Sequence, residues 1–203
     1  TPIAVNQNGK KQIIISGSQR IQSYCLDSGI LLWECKGLSK ENVVATPVAG
    51  HGMVFTGSTY DKTILLAIRL NGAKGDITGT KHIAWSRSRG APYVPSPLLY
   101  GDALYFISQF QGVLTRVNAH TGKNEPGQFR LNGIKKVFAS PIGAAGRVYI
   151  VDRNGSTIVL NNSKEPTLLS INTLDDSFSA SPIAVGSELY LRGEKNIYCI
   201  IND

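Results

Sequence analysis

Residues 96–102 read Ser96-Pro97-Leu98-Leu99-Tyr100-Gly101-Asp102, a Ser-Pro pair followed by a short apolar run and a turn with glycine. A β-rich run comes next. The same pattern recurs along the chain, and its other copies begin at Thr1-Pro2, Thr46-Pro47, Ser140-Pro141 and Ser181-Pro182. The successive prolines lie 45, 50, 44 and 41 residues apart. A repeat of this length with strand-like content is typical of a β-propeller, in which each repeat forms one four-stranded blade.

The first repeat shows the sequence pattern that predicts one blade. Residues 20–26 alternate between apolar and polar side chains, as expected for a strand with one buried face. Residues 27–29 form an Asp-Ser-Gly turn. We therefore predict an all-β fold, one β-propeller domain over residues 1–203 with about four and a half antiparallel blades. The predicted blades span approximately residues 1–36, 43–88, 93–131, 137–172 and 178–203.

The last predicted blade has three strands and lacks its fourth. Propellers usually close by taking a missing strand from the other end of the chain, so we expect these residues to be the C-terminal part of a longer protein. Three arrangements are compatible with this expectation: an arc of blades, a small closed ring, or half of a ring that a homodimer completes.

The net charge of +7 does not by itself indicate a nucleic-acid partner. The basic residues are scattered, and the densest groups are Lys10-Lys11, Arg87-Ser88-Arg89 and Lys135-Lys136. A binder of single strands needs a basic groove interleaved with aromatic side chains, which is not found here. No apolar run reaches about 18 residues, so no membrane-spanning helix is predicted.

The three cysteines have no Cys-x-x-Cys spacing and predict neither a disulfide framework nor a zinc site. Cys25 and Cys199 each follow a tyrosine at the same place in the repeat, and we expect both to be buried core thiols. A bridge between Cys25 and Cys35 is not expected, because the intervening turn does not place them opposite each other.

No catalytic residue and no metal site is predicted. The three histidines, His51, His82 and His120, are interpreted as solvated residues in or near turns whose spacing fits no metal triad. The segment 152–156 is similar to the start of a calcium-binding loop. Its glycine comes too early for such a loop and no glutamate follows at the twelfth position, so a hairpin turn is favoured. The acidic pair Asp175-Asp176 is interpreted as a loop before a strand.

An inserted loop in the second repeat, residues 70–80, gives the sharpest candidate for a ligand or partner site. Loops held at the rim of a rigid scaffold often carry function. The candidate residues in and after this loop are Asp76, Thr78, Arg87, Arg89 and Tyr93, with Pro95 beside them. The alternative interpretation is that the loop caps a blade and that the arginines pair with Asp76.

Several of these motifs resemble the pyrroloquinoline-quinone-like (PQQ-like) propeller repeat, a WD40-like architecture. They are the Ser-Pro strand starts, the glycine–tyrosine pairs Gly101/Tyr105 and Gly146/Tyr149, the turn at residues 121–123 and the tryptophans that end two blades. The resemblance covers nearly the whole chain and is nearest to secreted bacterial repeat proteins. It implies that Trp33 and Trp85 occupy the position where an aromatic ring of one blade packs on the next blade.

The resemblance implies a non-enzymatic binding or scaffold module, exported to the periplasm or the cell surface. Rim loops would contact a protein partner or a small ligand, as in the propeller lipoproteins of outer-membrane protein assembly. The alternative is a PQQ- and calcium-dependent dehydrogenase domain or a small-ligand sensor. The quinoprotein alcohol dehydrogenases hold their quinone against a disulfide of adjacent cysteines, and this chain has no adjacent cysteines. No cofactor is therefore predicted.

Overall fold

A computed structural model describes residues 1–108 and 112–201. This part of the chain contains strands, turns and loops and no helix. In chain order the strands are β1 (Ile3–Gln7), β2 (Lys10–Ser16), β3 (Arg20–Cys25), β4 (Leu31–Lys36), β5 (Val48–Gly50), β6 (Met53–Ser58), β7 (Ile64–Arg69), β8 (Gly75–Asp76), β9 (Ile83–Arg87), β10 (Leu98–Tyr100), β11 (Ala103–Ile107), β12 (Val113–Asn118), β13 (Asn124–Arg130), β14 (Ile142–Ala144), β15 (Arg147–Val151), β16 (Ser156–Asn161), β17 (Leu168–Thr173), β18 (Ile183–Val185), β19 (Glu188–Arg192) and β20 (Ile197–Ile201).

These strands form five sheets, which we call blades 1 to 5. Their strand orders are β1-β2-β3-β4-β8, β5-β6-β7-β9, β10-β11-β12-β13, β14-β15-β16-β17 and β18-β19-β20. Each blade is an antiparallel meander, and β8 alone pairs in parallel, with β4. Four sheets with at least four strands and one with three strands agree with the expectation of about four and a half blades.

The first hairpin of every blade has a two-residue loop. In blades 1, 2 and 4 both loop residues have positive φ, and the loops are Asn8-Gly9, His51-Gly52 and Ala145-Gly146. In blades 3 and 5 the loop begins with a positive-φ glycine, at Gly101 and Gly186. Such loops match the right-handed twist of the flanking strands, so they fix the register of the two inner strands of each blade.

The apolar core lies between the blades. Trp33 and Ile14 of blade 1 pack with Val54 and Leu66 of blade 2 in one buried cluster. Similar clusters join blade 2 to blade 3, blade 3 to blade 4, and blade 4 to blade 5. Because each sheet buries a face against its neighbour, the fold is built by nearest-neighbour contacts, as in other repeat proteins.

A chain of hydrogen bonds joins the starts of the inner strands. The backbone N–H groups of Thr46, Ser96 and Ser140 each donate to a serine hydroxyl one blade further on, at Ser96, Ser140 and Ser181. All three bonds measure 2.9 Å. The Ser/Thr-Pro pairs of the repeat therefore contribute directly to the contact between blades.

Two buried carboxylates hold loops on the blades. Asp152 lies in the turn between β15 and β16, as predicted, and accepts hydrogen bonds from the backbone N–H groups of Asn154 and Ser156. Asp176 lies in the loop before blade 5, also as predicted. Asp176 is only 8% exposed, and its carboxylate accepts hydrogen bonds from backbone N–H groups of the β19–β20 turn, including that of Asn196. Both carboxylates have structural partners in this part of the chain.

All three cysteines are free thiols. Cys35 is buried, Cys25 is half-buried, and Cys199 is exposed. The expectation of a buried thiol at Cys199 was wrong, because this residue lies on the face of blade 5 that points away from blade 4. The apolar side chains Ile183 and Ile197 are exposed on that same face.

Among the described residues, no helix has the length and apolar character needed to cross a membrane.

Candidate interaction surfaces and a histidine–aspartate cluster

The insertion of blade 2 covers the outer edge of blade 1. In the parallel pairing of β8 with β4, Gly75 is opposite Trp33 and Asp76 is opposite Glu34. The backbone N–H of Ile77 donates to Glu34 O at 2.9 Å, and the N–H of Lys36 donates to Thr78 Oγ1 at 2.9 Å. The insertion therefore protects an edge that would otherwise expose unpaired backbone groups.

Asp76 is held within its own loop. Its carboxylate accepts hydrogen bonds from the hydroxyl and the backbone N–H of Thr78, and these bonds lower the pKa of Asp76. Lys36 Nζ lies 3.5 Å from the carboxylate. The alternative interpretation was right that the loop caps a blade, because the loop folds back onto blade 1. It was wrong that the arginines pair with Asp76, whose cationic neighbour is Lys36.

Arg87 extends in the other direction, towards blade 3. Its guanidinium donates to Gly122 O at 2.6 Å and to Asn124 Oδ1 at 3.0 Å. Burial lowers the pKa of Arg87. Arg87 thus links blade 2 to the β12–β13 turn of blade 3.

Tyr93 and Arg89 occupy the segment that leads into blade 3. The Tyr93 ring stacks on Tyr60, with ring centroids 5.6 Å apart. A hydrogen bond with Tyr60 raises the pKa of Tyr93. Arg89 is exposed and Pro95 is buried. The structure therefore distributes four of the five candidate residues over separate contacts on blade 1, on blade 3 and at the Tyr60–Tyr93 stack, while Arg89 is exposed.

Both tryptophans contact the following blade. Trp33 is buried in the cluster between blades 1 and 2, and its Nε1 donates to Gln12 Oε1 at 3.1 Å. Trp85 donates from Nε1 to Ala119 O of blade 3 at 2.8 Å. A Cβ at Gly122 would lie 2.7 Å from the Trp85 ring, so this glycine leaves room for the ring to pack on the turn.

The outer edge of blade 4 is apolar and uncovered. In β17, Leu168, Leu169 and Ile171 are 54%, 50% and 46% exposed. Among the described strands, only β16 pairs with β17. Native edge strands are usually protected by charges, proline or a covering segment. Residues 168–173 contain neither charge nor proline, whereas the corresponding strand β13 carries Glu125, Pro126 and Arg130.

An apolar groove runs beside this edge. It lies between blades 4 and 5 and has a volume of about 790 Å³. Its lining includes Val159 and Leu169 of blade 4 and Leu189 and Ile200 of blade 5. The strand falls within the predicted blade 137–172, but neither the exposed edge nor the groove was predicted. The absence of charged residues from 168–173 is the sequence feature that could have indicated an exposed apolar edge.

The turns of blades 2 and 3 bring together two histidines and an aspartate. His120 Nε2 lies 3.1 Å from Asp102 Oδ1, and His51 Nε2 lies 3.6 Å from the same oxygen. The two imidazole centroids are 4.5 Å apart. One potential ligand atom from each residue lies within 4.8 Å of the other two. His51 and His120 are exposed turn residues, as interpreted from the sequence, but the structure also brings them together around Asp102, which their spacing did not predict.

This cluster could not be found from spacing within one motif. His51 lies in the first hairpin loop of blade 2, Asp102 in the equivalent loop of blade 3, and His120 in the β12–β13 turn. The three residues meet because the turns lie at the same end of adjacent blades. His82, the third histidine, makes a different contact, with Nδ1 3.1 Å from Arg69 O.

The family is decided by a match over almost the whole chain. The family model described as outer membrane protein assembly factor BamB matches residues 5–202. The chain belongs to this BamB family. The predicted PQQ-like β-propeller is thereby confirmed.

Solved structures show the same fold. The crystal structure of BamB from Moraxella catarrhalis superimposes with a TM-score of 0.72 at 12% identity, over 97% of this chain and 56% of that one. The computationally designed Ika8 protein superimposes with a TM-score of 0.68 at 9% identity, over 99% of this chain and 67% of that one. This BamB-family chain thus spans about half the length of the Moraxella protein. No curated protein matches the sequence.

Proposed function

We propose that this chain is a non-enzymatic scaffold that binds a partner protein at the outer edge of blade 4 and works in the periplasm or at the cell surface. The family description, an outer-membrane assembly factor, supports the class and the location. The observation that carries the proposal is the uncovered apolar strand β17, with Leu168, Leu169 and Ile171 exposed.

The chain itself shows how such an edge binds a strand. On blade 1, β8 adds to the outer strand β4 through backbone pairing, and Ile77 is buried beside it. An extended partner segment can add to β17 in the same way, because backbone bonds supply affinity and alternate side chains enter pockets. The groove beside Leu169 gives one row of partner side chains a place to pack.

The partner segment is expected to be extended and apolar. Its flanks are expected to be acidic, because this chain carries a net charge of +7 and opposite charge accelerates association. The rim residues of the inserted loop, Asp76 and Thr78, are already engaged with blade 1. Arg89 is exposed at the rim and is a second candidate contact for an acidic flank.

Selection of short peptides on the purified chain tests this proposal. The selected peptides are labelled for fluorescence anisotropy, and Ile171→Lys in the chain is compared with Gln128→Lys, an exposed position in the outer strand of blade 3. We expect apolar extended peptides to be selected. Ile171→Lys is expected to weaken their binding at least about tenfold, equivalent to about 1.4 kcal/mol. Gln128→Lys is expected to bind normally.

Amide chemical shifts locate the bound peptide. We expect the largest changes in residues 168–173. Blade 4 would not be the docking edge if the peptides change the shifts of other amides instead. The same conclusion would follow if the peptides bind the Ile171→Lys variant as tightly as they bind the wild-type chain. An Arg89→Glu variant measured in parallel tests the rim contact separately.

A second candidate function is self-association into a dimer. The observation that favours it is the exposed apolar face of blade 5, to which Ile183, Val185, Ile197 and Ile201 contribute. Sedimentation equilibrium tests it, with Ile197→Lys as the disrupting variant and Gln128→Lys as the control. A monomer at every concentration would exclude a dimer that uses this face.

A further inference from the structure

We propose that His51, Asp102 and His120 form a site for one Zn²⁺ ion that links the turns of blades 2 and 3. Each residue offers one ligand atom, and the three atoms lie within 4.8 Å of one another. The site is independent of the partner edge on blade 4, because it uses turns on two other blades.

The distances suit a metal polyhedron. Zinc bonds to imidazole nitrogen and carboxylate oxygen measure about 2.0–2.2 Å, so neighbouring ligand atoms of a tetrahedron lie about 3.3 Å apart. The distances from Asp102 Oδ1 to the two Nε2 atoms are 3.1 Å for His120 and 3.6 Å for His51. These two edges are already close to that value, so small side-chain rotations bring the ligand atoms around one ion.

The donor set selects the class of metal. Two imidazole nitrogens and one carboxylate oxygen suit zinc and its neighbours in the first transition row, whereas calcium and magnesium favour sites made of oxygen ligands. Three protein ligands leave a coordination position for water or for a side chain from a bound partner. The residues are exposed, so the ion can enter directly from solvent.

The turn that carries His51 does not itself require histidine. His51 has a φ of 54° in a loop whose equivalent first residue is Asn8 in blade 1 and Ala145 in blade 4. Left-handed positions of this kind favour glycine, asparagine and aspartate. Asparagine would therefore suit the backbone conformation at this position, and His51 adds an imidazole that the turn itself does not need.

Hydrogen bonds hold the cluster together before a metal binds. His51 Nε2 lies 2.9 Å from Gly101 O, and His120 Nε2 lies 3.1 Å from Asp102 Oδ1. Zinc would replace the protons in these bonds, since the ligand nitrogen must be unprotonated. Metal binding therefore competes with hydrogen bonding at the same atoms, and a titration with zinc distinguishes the two uses of the cluster.

The test is calorimetric titration of the chelator-treated chain with Zn²⁺. We expect one saturable equivalent. His51→Asn keeps a residue that the equivalent turn of blade 1 accepts, and His120→Asn changes an exposed turn residue. Each is expected to weaken binding by at least about tenfold, the loss seen when even outer-sphere partners of a metal site are removed. His82→Asn and Cys199→Ser are the matched controls and should bind like the wild type.

Titration with Co²⁺ identifies the ligands by the visible absorption of the bound ion. We expect a spectrum from nitrogen and oxygen ligands that disappears in His120→Asn and in Asp102→Asn. The proposal is overturned by the absence of saturable binding, by full binding in both histidine variants, or by loss of binding in Cys199→Ser, which would place the ion on the exposed thiol. Thermal melts verify that each variant is folded. If a histidine variant does not fold, binding of the ion to Asp102→Asn decides the proposal.

Discussion

The backbone N–H of Ser96 donates to the hydroxyl of Ser140, at 2.9 Å, across the junction between blades 3 and 4. The same bond joins Thr46 to Ser96 and Ser140 to Ser181. Each of the two middle serines uses its N–H towards one blade and its hydroxyl towards the other. This double use explains why a hydroxyl residue precedes the proline in these repeats.

Loss of one of these hydroxyls is expected to weaken the junction. Ser140→Ala removes the acceptor of the Ser96 N–H, and we expect a loss of about 1–2 kcal/mol in the free energy of unfolding. Urea denaturation followed by tryptophan fluorescence measures it. Ser187→Ala, at an exposed turn position of blade 5, is the control and should change stability by less than about 0.5 kcal/mol. Equal stability of the two variants would contradict a role for the serine chain.

Gly122 is expected to tolerate alanine poorly. Its φ is +67° and an added Cβ would lie 2.7 Å from the Trp85 ring. The combined cost of the left-handed backbone and the overlap is about 3 kcal/mol. Gly29→Ala is the matched control, because Gly29 ends the same turn in blade 1 with φ +70° and nothing within 4 Å of its Cβ position. It should cost only about 1–2 kcal/mol. Similar melting temperatures for the two variants would show that Trp85 can move off the turn.

Thr78→Val is expected to loosen the inserted loop from blade 1. The substitution removes the oxygen that accepts the Lys36 N–H, at a cost of about 1 kcal/mol. Hydrogen exchange should accelerate at the amides of Lys36 and Ile77, while the buried amide of Leu104 in blade 3 stays protected. Unchanged exchange at Lys36 would mean that the loop stays on β4 without this bond.

Asp176→Asn is expected to reduce the dependence of the free energy of unfolding on pH in the acidic range. Burial acts to raise the pKa of Asp176, but hydrogen bonds from the N–H groups of Ser177, Lys195 and Asn196 prevail and lower it. A carboxyl whose pKa is lowered in the folded state stabilises the fold above its unfolded pKa of about 3.9 and loses this contribution as the pH falls through the folded value.

Melting curves between about pH 6 and pH 2 measure this effect. The wild type should be more stable than Asp176→Asn at pH 6, and the difference should shrink below about pH 4. The control is Asp175→Asn, because the Asp175 side chain is fully exposed next to it. A constant difference across this range would show that the charge of Asp176 does not contribute.

The sequence predicted the propeller because the features that define a blade are local. A Ser/Thr-Pro pair, an alternating strand and a glycine turn each need only neighbouring residues, and their recurrence near every 45 residues gives the blade count. The prediction for Cys199 failed because burial of a strand face depends on whether a sheet packs against it. Cys25 and Cys199 occupy equivalent repeat positions, yet Cys25 is half-buried on the face of blade 1 that packs on blade 2, whereas Cys199 is exposed on the face of blade 5 that points away from blade 4.

The sequence by itself determined the strands, their turns and the family of this protein, because hydrophobic alternation and turn chemistry act over a few residues. Tertiary structure alone decided which distant residues meet. It placed the inserted loop on blade 1 instead of beside the arginines, and it brought His51 to Asp102 across 51 positions of sequence. The physical reason is that neighbouring blades pack through side chains and backbone groups from equivalent positions of different repeats, and those contacts have no signature within a single repeat.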